Sequence, residues 1–246
     1  GMYHLPDRGL RLISELRFLL ERLAVTQERV PDLRVTLGQS LLPKWSRAIL
    51  DRCLDLGITH IDTSNVYGLG MSETRIGTYL AKQGKRAQDF FTIATKAGIT
   101  SKPDGTRHYA NTIQHLAAEL DKSLQRLGIE QEALLSIHRR DAKIPIEEVS
   151  ASLATLVKSG KIRQIGFSEI APTSLQLAHE VQPVAAVQSE YSLSTRSPEM
   201  GLVQKTKELG ATLVAFSPVC RSLLTDHPLE LEVCKDCLLY TSDAAD

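Results

Sequence analysis

The sequence predicts an α/β protein built as a (β/α)8 TIM barrel, with no recognisable eighth strand at the C-terminus and with an extra N-terminal helix. Three observations carry this reading. Short apolar runs alternate with helical periods from residue 49 to residue 216, the pattern of a parallel sheet with helices outside it. The runs are nearly continuous in apolar residues, as strands buried on both faces require. No Gly-x-Gly-x-x-Gly follows an early strand, which argues against an open dinucleotide-binding sheet.

Leu12, Ile13, Leu16, Leu19, Leu20 and Leu23 recur at helical spacing with charged residues between them, and Pro31 closes that amphipathic helix. Residues 33–37 alternate enough for a weak strand. Ile49, Leu50, Cys53 and Leu54 stripe a helix that stops at Gly57, and a strand runs from Ile58 to its end at Asp62. A helix from Ser72 to Leu80 precedes Gly84, and a β-rich run from Phe90 ends at Lys96. The long stripe from Ile113 to Leu127 stops at Gly128, and Ala133 to Ile137 leads into His138. A helix over 147–159 stops at Gly160, and Ile162 to Phe167 ends at Ser168. Pro172 suits the first turn of a helix reaching Val181, and Val184 to Val187 ends at Gln188. Pro198 opens a last helix closed by Gly210, and the strand from Ala211 to Phe216 ends at Ser217.

Composition narrows the class of function. The chain has 246 residues, 42% apolar and 24% charged, with 29 Lys plus Arg against 29 Asp plus Glu. That balance draws it neither to nucleic acid nor to an anionic membrane, and no apolar run is long enough for a membrane span. Gly1 ahead of Met2 reads as a tag remnant. Four cysteines are too few for a disulfide scaffold in this length, so a cytoplasmic location is expected. Cys234 and Cys237 form a lone C-x-x-C with only His227 nearby, which is short of the four ligands of a zinc site, and no metal is expected.

Strand after strand ends in a polar residue: Asp62, Lys96, His138, Ser168, Gln188, Ser217. In a barrel these ends share the face that carries the active site. An isolated Asp at such a place is more often a turn former, and an isolated His more often structural. Asp, Lys and His on successive ends, with Tyr67 beside the first, form a chemical set. A free phenol has a pKa near ~10, and a nearby ammonium favours its anion. A carboxylate fixes the ammonium, and an imidazole orients a carbonyl. Such a set protonates a carbonyl oxygen while hydride arrives at carbon, and the hydride source is a nicotinamide.

Asp62-Thr63-Ser64-x-x-Tyr67-Gly68 with Ser72-Glu73, then Thr95-Lys96, then Ile137-His138-x-x-Asp141, resembles the aldo-keto reductase superfamily. Ser123-Leu124-x-Arg126-Leu127-Gly128, Gly160-Lys161-Ile162-Arg163-x-Ile165-Gly166-x-Ser168, Val187-Gln188-x-Glu190-Tyr191 and Phe216-Ser217-Pro218 agree with it. The resemblance implies reduction of an aldehyde, ketone or sugar carbonyl with NADPH, or with NADH, and the reverse oxidation. It makes Tyr67 the general acid, Lys96 and Asp62 its tuning pair and His138 the substrate-orienting residue. Ser168 and Gln188 would hold the nicotinamide carboxamide, Phe216 would stack on the ring, and Ser217 would begin the pyrophosphate loop.

The chain departs from the family pattern most after Thr225, where the expected eighth strand and adenosine 2′-phosphate site are not recognisable, and in three further places. Glu169 stands where the family usually has Asn, Cys220-Arg221-Ser222 replaces a Gly-rich step, and the first strand lacks its glycines. The expected organisation is an N-terminal helical extension over 1–32, a barrel over 33–228, and an unmatched, non-native tail over 229–246. A small-molecule carbonyl compound is the expected partner, without nucleic acid or membrane, and the oligomeric state is not readable. Substrate contacts are expected from residues 97–110, where Lys102, Arg107, His108 and Tyr109 suit a polar carbonyl compound. Two alternatives stand beside the enzyme: a non-catalytic cofactor-sensing or regulatory protein docking through the N-terminal helix, and an inactive truncated fragment.

Overall fold

The computed structural model describes residues 42–101, 106–220 and 223–226. The expected N-terminal helix, the weak strand over 33–37, Lys102, Arg221, Ser222, His227, Cys234, Cys237 and the tail lie outside the described residues. Two compact units are present. One comprises 53–190 and 196–216 and holds every described strand; the other comprises 1–52, 191–195 and 217–246.

Eight strands are described: β1 His60–Asp62, β2 Thr92–Ala97, β3 Ile99–Ser101, β4 Arg107–Tyr109, β5 Glu132–Ile137, β6 Ile162–Ser168, β7 Val184–Glu190 and β8 Thr212–Phe216. Between them run the helices α1 Leu42–Leu56, α2 Met71–Gln83, α3 Lys85–Phe90, α4 Ile113–Leu127, α5 Ile146–Lys158, α6 Pro172–Val181 and α7 Leu202–Glu208. Six strands form one parallel sheet in the order β1-β2-β5-β6-β7-β8, while β3 and β4 pair antiparallel as a separate hairpin. Strand order follows chain order, as a succession of right-handed βα units requires.

The sheet is curled like part of a barrel. One contact demonstrates the curvature. Gln188 on β7 lies 3.2 Å from Asp62 on β1, although the two strands are four steps apart in the sheet order. On a flat sheet that separation would be about 19 Å.

The outer face packs the helices. Leu135, Ile137, Ile165, Phe167 and Val187 join Leu116 and Leu120 of α4, Val149 and Leu153 of α5, and Leu175 and Ala178 of α6 in one core. By the two-residue alternation of a strand, Lys96, Ser136, Gly166 and Gln188 take the opposite face. The inner packing is tight at Gly166, where a Cβ would stand 2.5 Å from Ser136 Oγ and 2.9 Å from the Ala186 carbonyl oxygen.

Local signals explain the helix ends. Thr112 caps α4 by accepting from the His115 N–H, and Gly128 closes it at φ 66°. Pro172 opens α6. Three expectations change. Phe90 closes the short helix α3 after Gly84 instead of opening a strand, so β2 begins at Thr92. Pro198 sits in a 3-10 turn over Ser197–Met200, and Gly201 at φ 146° breaks the chain before α7 starts at Leu202. The hairpin β3–β4 falls where a loop was expected; its strands are three residues each, too short to show a period. No helix among the described residues is long and apolar enough to cross a membrane.

Candidate active site

The loop after β1 carries the phenol to the lysine. Past Asp62 the backbone stays against β2, with Thr63 N–H donating to Ala94 O at 2.9 Å and Asn65 N–H to Lys96 O at 3.1 Å. It then turns, Tyr67 N–H donating to Ser64 O at 3.2 Å. Lys96 is buried, with 1% of its surface exposed. Its ammonium donates to Asp62 Oδ2 at 2.5 Å, to the Thr63 carbonyl oxygen at 3.1 Å and to the Tyr67 hydroxyl at 3.5 Å. An ammonium has three donors, so these three acceptors account for all of them. Because the Tyr67 oxygen accepts from Lys96, its own proton is left to face outward. Tyr67 is 39% exposed.

His138 follows β5 and is bound there by its N–H to Ala97 O at 2.8 Å. Its ring stands edge-on to that of Tyr67, with centroids 5.7 Å apart and planes at 86°. His138 Nδ1 and Ser64 Oγ are 3.0 Å apart, and the direction of that bond decides which ring nitrogen carries the proton. Burial pushes the imidazole pKa down to about 3, with the positive charges of Lys96, Arg139 and Arg107 acting the same way. His138 is therefore neutral at physiological pH.

Ser168 and Gln188 are adjacent in register across β6 and β7. Ser168 Oγ accepts from Arg139 Nη1 at 3.1 Å. Gln188 Nε2 donates to Asp62 Oδ1 at 3.2 Å. Glu169 adopts φ 55°, a left-handed conformation that Asn accepts more cheaply than Glu. Its carboxylate turns back to its own sheet, Oε1 accepting from the Glu190 N–H at 2.7 Å. Phe216 ends β8 opposite Glu190. Ser217 is buried at φ 48° and belongs to the other compact unit.

The structure thus brings together Asp62, Tyr67, Lys96, His138, Ser168 and Gln188. Sequence reasoning missed Arg139 and Asn111. Asn111 is 1% exposed, donates through Nδ2 to Arg139 O at 3.2 Å and accepts at Oδ1 from the Asp141 N–H at 2.6 Å. Arg139 had a signal, since it directly follows a strand-end histidine; Asn111 had none beyond its place before a helix cap.

Fold and site define a (β/α)-barrel protein with an ammonium, a carboxylate, a phenol and a neutral imidazole at the strand ends. The profile of the Aldo/keto reductase family matches residues 37–234. The chain is 42% identical over 180 residues to aldo-keto reductase str7 of Strobilurus tenacellus, covering 72% of this chain and 51% of that protein. It is 38% identical over 184 residues to the NADP(+)-designated aldo-keto reductase yakc of Schizosaccharomyces pombe, covering 73% and 54%. The glycerol dehydrogenase AKR11B4 from Gluconobacter oxydans superimposes with a TM-score of 0.71 at 31% identity, over 80% of this chain and 61% of that one. The chain belongs to the aldo/keto reductase family. It spans about half the length of the curated relatives it matches.

Proposed function

We propose that this protein reduces the carbonyl of a small molecule with hydride from NADPH, Tyr67 acting as the general acid. The observation that carries the reading is the position of the Lys96 ammonium, 2.5 Å from Asp62 Oδ2 and 3.5 Å from the Tyr67 hydroxyl. The family membership supports it, as does the NADP(+) in the name of the fission-yeast relative.

The donor chemistry of two residues fits a nicotinamide carboxamide. That amide needs one donor for its carbonyl and one acceptor for its NH2. Ser168 accepts from Arg139 and keeps its hydroxyl proton to donate, and Gln188 uses Nε2 on Asp62 and keeps Oε1 to accept. When bound, the cofactor supplies the hydride. The remaining work falls to the chain. The neutral ring of His138 orients the carbonyl oxygen toward the Tyr67 hydroxyl. Tyr67 passes its proton to that oxygen, and Lys96, held by Asp62, compensates the charge left on the phenolate.

The test is NADPH consumption with 9,10-phenanthrenequinone or 4-nitrobenzaldehyde, beside the Tyr67→Phe variant. Turnover that persists in the variant, or none at all in a version extended to the relatives' length, sinks the reading.

A further inference from the structure

We infer that Arg139 and Arg107 form an oxyanion-recognition site beside His138, so that the preferred carbonyl substrate carries a carboxylate or phosphate of its own. This inference deepens the reductase reading and rests on it.

The ammonium of Lys96 is matched by Asp62, and His138 is neutral. Arg126 and Arg196 each have a glutamate partner. Of the positive charges that act on His138, those of Arg139 and Arg107 have no carboxylate paired with them among the described residues.

Arg139 is not a loose surface arginine. It is half-buried, and Nη1 is held by two neutral acceptors, the His138 carbonyl oxygen at 3.0 Å and Ser168 Oγ at 3.1 Å. These bonds fix the plane of the group while leaving its charge unmatched. A half-buried cation held in place without an anion is costly unless a ligand supplies one. The remaining donors form the planar fork that carboxylates and phosphates match.

The hairpin brings the second cation. β3 begins two residues beyond β2, at Ile99, and β4 returns with Arg107 opposite Ser101. Ala110 N–H closes on Gly98 O at 3.0 Å. The next residue, Asn111, clamps Arg139 O and Asp141 N–H. One buried amide thus ties the hairpin's return to the segment bearing Arg139. The charges of both arginines reach His138, where they help hold the imidazole neutral.

An anion at this place has two sources, the substrate and the cofactor's phosphates. Calorimetric titration with the phthalate isomers against the matching diamides asks directly for an oxyanion site. We expect one phthalate isomer to bind at least about tenfold more tightly than its diamide, and Arg139→Gln or Arg107→Gln to remove that preference. Arg107→Gln lies on an exposed strand and gives the answer where Arg139→Gln does not fold. In turnover, the ratio of kcat/KM for a formylbenzoate to that for 4-nitrobenzaldehyde should fall by a similar factor in both variants. Equal binding of diacid and diamide, or a ratio indifferent to both substitutions, overturns the site while leaving the reductase reading intact. Weaker NADPH binding in the variants, with phthalate binding unchanged, assigns the arginines to the cofactor and overturns the substrate proposal. Phthalate binding without Tyr67-dependent turnover keeps the site and overturns the reductase reading.

Discussion

Gln188 Nε2 lies 3.2 Å from Asp62 Oδ1, while Lys96 Nζ takes the other oxygen of the same carboxylate at 2.5 Å. One carboxylate therefore joins β7, on the side proposed for the cofactor, to the ammonium that faces Tyr67. Gln188→Glu would set two carboxylates at hydrogen-bonding distance, and such a pair resists double ionisation. At neutral pH we expect this variant to lose about tenfold more kcat/KM than Gln188→Leu, which merely deletes the amide. The gap should narrow as acid protonates the added group. Steady-state rates of both variants against pH give the answer, and parallel profiles would sink the coupling.

Tyr67 contributes little to the core, being 39% exposed, but its hydroxyl accepts from the Lys96 ammonium and is the proposed proton donor. Tyr67→Phe removes that oxygen alone. Thermal unfolding should change by no more than about 0.5 kcal/mol, whereas kcat should fall by about 10²-fold or more. A large drop in stability with the loss of rate would point to a structural role instead.

Behind the site, Glu73 on α2 is fully buried between two partners, Thr95 Oγ1 at 2.5 Å and Arg126 Nε at 2.6 Å. It fastens the helix that follows Tyr67 to the strand that carries Lys96. Glu73→Ala would leave Arg126 partly unpaired, at a cost of about 2–4 kcal/mol, less than for a fully buried pair because Arg126 still reaches solvent. One turn on, a Cβ at Gly77 would stand 2.1 Å from the Arg126 carbonyl oxygen. Both atoms belong to rigid helices, so Gly77→Ala should cost more than Glu73→Ala. Urea unfolding of the two variants tests the order, and a Gly77→Ala protein as stable as the parent contradicts this close approach of α2 and α4.

Those networks mark the limit of what the chain's local pattern reveals. Asp62, Lys96, His138, Ser168 and Gln188 were legible because parallel strands in a barrel present their C-terminal ends on one face, so position within a strand was enough. Their hydrogen bonds were not legible. The Gln188–Asp62 bond spans 126 residues, and no periodicity encodes a contact set by the curl of the sheet. Ser64 meets His138 only because the backbone continues along β2 before it turns. Phe90 and Phe91 read as the start of a strand by composition, yet Phe90 ends α3 and Phe91 carries the chain out in extended conformation. Glu169 stands where the family usually has Asn, and nothing local announces that the left-handed backbone there returns its carboxylate to Glu190.

Two buried groups should give the stability profile opposite slopes. Glu132, which opens β5, is fully buried, and neither of its oxygens has a hydrogen-bond partner among the described residues. Burial raises its pKa from 4.5 to about 8, and the negative charge of Glu73 adds to the rise. The folded state thus holds a proton that the unfolded chain releases. The associated stability is complete below pH 4.5 and is lost as pH rises to about 8. His138 behaves in reverse, its pKa falling from 6.5 to about 3, so its contribution is complete above pH 6.5 and is lost on acidification toward 3. Glu132→Gln should match the parent in acid and exceed it by about 3 kcal/mol at neutral pH, since the amide needs no proton to stay neutral. His138→Asn should flatten the acid limb and leave the alkaline one. Denaturant midpoints across these windows decide the matter. If the Glu132→Gln curve ran parallel to the parent's, a protonated Glu132 in the fold would be excluded.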